Sequence, residues 1–221
     1  MGKAPRDSAL EHYIQPGSLS VVAAMAEEVA TGKVDSIFHI GDISYATGFL
    51  VEWDYFLHLI TPLASRVSYM TAIGNHERDY ADSGSVYLTP DSGGECGVPY
   101  ECYFPMPTSL KDKPWYSIEQ GPVHFTVIST EHKWTPGSEQ VDLVLFGHVH
   151  NYERTCAVYR GKCKARPTKD ENGVDTFDNS NYSAPVQAVF GMAGFTLDEF
   201  SPILVNSNTR EVEDSFRIIM K

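Results

Sequence analysis

Three apolar runs in this chain end in the same way. IFHIGDISY sets Asp42 and Tyr45 just past Gly41. TAIGNHE sets Asn75 and His76 just past Gly74. LVLFGHVH sets His148 and His150 just past Gly147. Singly, each is weak: Asp42 could cap a turn, Asn75 and His76 could be turn residues, and a lone histidine is more often structural than a ligand. Together they offer carboxylate, phenol, amide oxygen and imidazole, a donor set that suits Zn, Fe or Mn rather than Ca. An aspartate can bridge two cations, and two ions ~3.5–4 Å apart can clamp a phosphate and activate a water. If 147–150 continues the strand, residues i and i+2 point the same way, so His148 and His150 are expected to aim into one site.

The elements that must position these residues are an alternation of strands and helices. Residues 17–31 read as a helix, with Ser18 or Ser20 as cap, apolar Val21, Val22, Met25 and Val29 at helical spacing, and Gly32 as its stop. Residues 34–42 read as a buried parallel strand. Helix is expected over 52–66, with Pro62 late in it, and strand over 67–77. Residues 81–114, rich in Gly, Pro, Ser and Asp, read as largely loop. A hairpin is expected over 115–130, turning at Gln120-Gly121-Pro122, then strands at 141–150 and 184–194. Residues 160–184 read as a polar surface excursion, and 205–221 as polar and weakly patterned. The pattern predicts an α/β layered domain, whose ligands bind beyond the carboxyl ends of the strands.

Composition narrows the function. A length of 221 residues suits one domain or two small ones. The net charge of −12 argues against binding polymeric nucleic acid. An anionic substrate would need local positive charge, which bound cations can supply. No window holds the roughly 18 apolar residues of a membrane span, and MGKAPRDSALEHY carries no apolar signal core. Cys96, Cys102, Cys156 and Cys163 form two local pairs without CxxC spacing. They suit either two short-loop disulfides or four thiols. Asn181-Tyr182-Ser183 is a single sequon.

GDISY, GNHE and GHVHNYER resemble the signature blocks of the calcineurin-type metallophosphoesterases. The tyrosine of GDISY points to the purple acid phosphatases, whose blocks are GDxG, GDxxY, GNHE, VxxH and GHxH. The stretches YIQPGS, SYATGFLVEWDYF, YMTAIGNHERDY and FGMAGFTLDEF resemble the large plant members. The resemblance implies a layered metallophosphoesterase β-sandwich flanked by helices, forming one catalytic domain over 1–221. It implies a binuclear-metal acid phosphatase that hydrolyses phosphomonoesters or nucleotide pyrophosphate bonds. The cofactors would be Fe(3+) and a divalent Zn, Mn or Fe ion. Tyr45 and His150 would hold the ferric ion, Asn75 and His148 the divalent ion, and Asp42 both. His76 would sit beside the substrate and orient or protonate the leaving group. Glu77, Arg78 and Arg154 are read mainly as loop-holding residues, with Arg78 a candidate to touch the substrate anion. Secretion or association with an organelle is implied by the family alone.

Two blocks depart from the pattern. No aspartate precedes Asp7, so the GDxG ligand and the first core strand are expected to be missing. Only EHKWTPGSEQ separates VIST from VDLVLFGHVH, where VxxH belongs, and a parallel crossover needs about a dozen residues or more. His132, the one histidine there, reads as a surface-loop residue. The expectation is a shortened chain with weakened metal binding. The alternative function is an impaired or inactive family member that binds metal or a partner. His39 is expected to be buried or to face a neighbouring layer, His12, His58 and His124 to lie on surfaces, and the aromatic residues of EWDYFLHL to be core.

Overall fold

A computed structural model of the chain describes residues 1–2, 16–108, 110–133, 141–178, 180, 183–191, 193–194 and 210–211. The chain forms two compact units, Met1–Thr135 with Ala193–Phe195, and Pro136–Met192 with Thr196–Lys221.

The first unit is built on a β-α-β step. Strands β1 (Ser36–Ile40) and β2 (Ser68–Ala72) pair in parallel, with Ser36 opposite Ser68 and Ile40 opposite Ala72. Helix α2 (Leu50–Ala64) makes the crossover that a parallel pair requires. Its Trp53, Phe56, Ile60 and Leu63 recur every three or four residues, so all four fall on one face, and all are at most 2% exposed. They form the core with Val22 and Val29 of α1 (Pro16–Ala30), Ile43, Ile73, Tyr100 and Phe104. Tyr55, by contrast, is exposed. Helix α1 begins ahead of its expected caps. Ser18 lies inside it, fully buried, and its hydroxyl donates to the Ala193 carbonyl (3.3 Å). Gly32 ends it with φ +72. Short helices α3 (Asn75–Arg78) and α4 (Val98–Tyr103) follow β2, the second inside a stretch expected to be loop. The expected hairpin is present as β3 (Tyr116–Gln120) and β4 (Val123–Val127), with Gln120 opposite Val123.

The second unit holds a four-stranded sheet in the order β12-β6-β11-β5, with β5 (Leu143–Phe146), β6 (Tyr152–Thr155), β11 (Val186–Phe190) and β12 (Arg210–Glu211). Strands β11 and β5 are parallel, and β11 and β6 antiparallel. The expected strand over 141–150 stops at Phe146. The chain then folds back on itself, with Val149 N–H donating to Gly147 O (2.9 Å) and Asn151 N–H to Val149 O (2.7 Å). His148 has φ +69. The alternation expected to align His148 with His150 therefore does not apply, because neither lies in extended strand. The polar excursion over 160–184 is largely exposed, as expected, and carries short strands: β8 (Lys162–Ala165), which pairs with β7 (Ala157–Tyr159) just before it, and the pair β9 (Thr168–Lys169) and β10 (Asp175–Thr176). Cys156 and Cys163 form a disulfide, while Cys96 and Cys102 are free thiols. His12, the asparagine of the sequon, residues 134–140 and most of 205–221 lie outside the described residues.

His39 takes the place expected for it. Its Nδ1 lies 2.9 Å from the Tyr69 hydroxyl, and its ring packs near Phe56 and Tyr69. Burial pushes its pKa from 6.5 down to about 3. Unfolded, it takes up a proton near 6.5; folded, it stays neutral. Its contribution to stability is thus complete above 6.5 and is lost as pH falls towards 3. His39→Gln is expected to flatten the acid limb of a plot of Tm against pH, measured by calorimetry. An unchanged slope would contradict this.

Candidate metal and phosphate site

Because Ile40 pairs with Ala72, the carboxyl ends of β1 and β2 emerge side by side. Glycines allow the two loops to touch. A Cβ on Gly74 would lie 2.3 Å from Asp42 Oδ1 and 2.6 Å from its backbone nitrogen. Gly41 turns with φ +84, and a Cβ there would meet the Gly74 Cα at 3.1 Å. The GD and GN pairs of the sequence are therefore one steric feature. Beyond Gly41, Asp42 (φ 54) and Tyr45 (φ 56) both adopt the left-handed region. That costs roughly 1–2 kcal/mol for each non-glycine residue, a strain characteristic of functional loops.

Glu77 ties these loops together. Its carboxylate is 1% exposed and accepts from the N–H groups of Asp42 (3.0 Å), Ile43 (2.8 Å) and Gly74 (3.0 Å). The bond to Gly74 is the carboxylate half of a capping box at the start of α3. Burial, then the charge of Asp42, raises the Glu77 pKa to about 8, while the backbone donors oppose that rise.

Asp42, Tyr45, Asn75 and His76 are gathered on this bracket. Asp42 is 8% and Tyr45 5% exposed. The phenol hydrogen-bonds to the Asp42 side chain, and burial followed by the Asp42 charge holds it far above its ordinary pKa of 10.0. The Tyr45 and His76 ring centroids are 4.1 Å apart. Burial lowers the His76 pKa; Asp42 and Asp91 oppose that. His76 Nδ1 is buried and makes no hydrogen bond among the described residues. The Asn75 amide donates from Nδ2 to Asp91 Oδ2 (2.9 Å). In the second unit, His148 is exposed and His150 half-buried.

Among the described residues, no group of three or more His, Cys, Asp and Glu side chains is gathered as a metal cage. The first unit's donors are instead a carboxylate, a phenol and an amide. These three suit one hard cation bound through oxygen, so the residues present fit a metal at Asp42.

Other candidates are engaged by partners. Arg78 is 4% exposed, with its guanidinium donating to Cys96 O (2.9 Å) and pairing with Asp112 (2.8 Å), which supports loop-holding over anion contact. Arg154 pairs with Asp175. His132 is 8% exposed rather than a surface residue: its Nδ1 lies 2.8 Å from Ser129 Oγ, its Nε2 3.5 Å from Asp112 Oδ1, and Trp115 packs edge-on against it. This serine–histidine–carboxylate row is no nucleophile, since Ser129 is 3% exposed and Asp112 already pairs with Arg78. Asp91 and Glu95 carry no local sequence signal, since they flank two glycines without periodicity.

Residues 12–152 match the family described as calcineurin-like phosphoesterase. The chain belongs to this family. It is 35% identical, over 92% of its length, to the Arabidopsis thaliana protein named "Probable inactive purple acid phosphatase 27", of which it covers 41%. That alignment runs over 262 positions, more than the 221 residues of this chain, so some of the relative's residues have no counterpart here. A Hordeum vulgare protein named "Nucleotide pyrophosphatase/phosphodiesterase" is 33% identical over 74% of this chain and 60% of its own length. The structure of a purple acid phosphatase from yellow lupin (Lupinus luteus) seeds superposes with a TM-score of 0.76 at 31% identity, over 90% of this chain and 43% of that one. The expected metallophosphoesterase-type α/β fold is thus the observed one. The chain spans about two fifths of the length of the Arabidopsis relatives it matches.

Two substitutions test the bracket. Glu77→Ala leaves three N–H groups unanswered, two of them buried, and is expected to cost about 3 kcal/mol or more; a loss under about 1 kcal/mol in urea unfolding would contradict the bracket. Gly74→Ala forces a methyl group into Asp42 and is expected to cost about 2 kcal/mol, read as a lower Tm.

Proposed function

We propose that this phosphoesterase domain binds a binuclear metal centre weakly and hydrolyses phosphomonoesters or nucleotide pyrophosphate bonds. One observation carries the reading: Asp42, Tyr45, Asn75 and His76 converge where β1 and β2 end, and His76 Nδ1 is left without a hydrogen bond among the described residues. The domain proposed is a single one over 1–221, since the matched segment 12–152 runs from the first unit into the second.

The ligand roles proposed are those of the resemblance. Tyr45 and His150 would hold Fe(3+), Asn75 and His148 a divalent Zn, Mn or Fe ion, and Asp42 both. The bound cations would supply Lewis-acid polarisation of the phosphate and of a water. Asp42 supplies a fixed negative charge for them. Tyr45 hydrogen-bonds to it and covers one side of His76. His76, its pKa lowered by burial, would lie beside the substrate and orient or protonate the leaving group. The net charge of −12 restricts the substrate to small phosphate esters rather than polymeric nucleic acid. No described helix is long and apolar enough to cross a membrane. The family resemblance is consistent with secretion or an organelle.

A second reading is an inactive member that retains metal or partner binding. It is favoured by the lack of a VxxH block between VIST and VDLVLFGHVH, and by the "inactive" in the names of four relatives. Hydrolysis of p-nitrophenyl phosphate with added Fe and Zn or Mn separates the two. The first reading expects Asp42→Asn to lower kcat/KM by about 100-fold or more. Equal rates in the two proteins would leave the second.

A further inference from the structure

Asp91 is sixteen residues from Asn75 in sequence, yet its Oδ2 accepts from Asn75 Nδ2 at 2.9 Å and from Thr89 Oγ1 at 2.6 Å. Its backbone also hydrogen-bonds to His76. Three anchors hold the loop that carries it. Ser92 is fully buried, and its N–H donates to Asp79 O (3.0 Å). A Cβ on Gly93 would lie 2.2 Å from the Thr47 carbonyl, so this loop presses on the one that follows Asp42. Glu95 accepts from the Trp53 indole and from Gly48 N–H, each at 3.1 Å.

The chemistry of the pair is directional. A carboxylate only accepts, so it selects the NH2 end of the amide; reversing the amide would set two oxygens against each other. With Nδ2 fixed on Asp91, Oδ1 is the end turned away from it. The carboxylate also draws on the N–H, which places more negative charge on Oδ1 and makes it a better donor to a cation. We infer that Asp91 is a positioning residue, which fixes the orientation of the Asn75 amide and presents Oδ1 to a cation shared with Asp42. The inference deepens the proposed metal site and rests on that reading for the cation alone.

The test uses the full chain and Mn(2+). Free Mn(2+) is followed by electron paramagnetic resonance in the unchanged protein, Asp91→Ala, Asp91→Asn, Asn75→Ala and the Asp91→Ala/Asn75→Ala double variant. Asp91→Ala is expected to weaken binding by about 10- to 100-fold, and Asp91→Asn, which keeps an acceptor oxygen, to recover most of that loss. In the Asn75→Ala background, Asp91→Ala is expected to add nothing, an outcome that general loosening of the loop would not give. Unchanged affinity in Asp91→Ala, or an equal further loss in the double variant, would overturn the inference.

A second measurement needs no metal. In the nitrogen-15 spectrum, the side-chain NH2 pair lost in Asn75→Ala is expected to exchange slowly with water in the unchanged chain, and faster in Asp91→Ala. Equal exchange rates overturn the clamp. If the unchanged chain binds no Mn(2+), the metal reading of the proposed function fails, and the amide exchange still decides the role of Asp91.

Discussion

One buried carboxylate holds the site together. Glu77 is reached by three backbone N–H groups from two loops, and these bonds help hold the loops on their strained course. The parallel register of β1 and β2 brings the loops abreast, and Gly41 and Gly74 let them touch. Asp42 sits at φ 54 beside Gly41. The three hydrogen bonds to Glu77 offset that strain, as expected for a functional loop whose surroundings over-determine it.

The same neighbourhood concentrates negative charge. Asp42, Glu77 and Asp91 all act on the titration of Tyr45, and Asp42 and Asp91 on that of His76. Carboxylates so close, in a region from which water is largely excluded, repel one another unless a proton or a cation intervenes. Glu77 answers with a raised pKa. A bound cation is the other answer, and the oxygen donors beside Asp42 suit one. An acidic chain can thus attract a phosphate ester by first attracting metal.

Hydrogen bonding also separates polar residues that brace loops from His76. Arg78, Glu95, Ser129 and His132 are all committed to partners that brace loops. His76 keeps a buried ring nitrogen without a hydrogen bond among the described residues. That difference, rather than residue type, separates His76 from His132.

The sequence by itself determined a good deal. The alternation of apolar runs and helical spacing gave α1, β1, α2 and the hairpin close to their observed bounds, while the strand expected over 67–77 ends at Ala72 and helix α3 takes up Asn75–Arg78. The glycine-led blocks pointed to Asp42, Tyr45, Asn75 and His76, because such side chains cluster where strands end. Other features were decided only in three dimensions. The turn after Phe146 removed the strand geometry expected for His148 and His150, since bonds between Gly147, Val149 and Asn151 replaced the ladder. The strands within 157–176 are short pieces held by a local disulfide and neighbouring hairpins, too brief to show a period. His132 was placed inside by Asp112 and Trp115, which come from an earlier segment. Asp91 shows the limit most clearly: an aspartate among glycines has no local signal, and only tertiary packing sets it against Asn75.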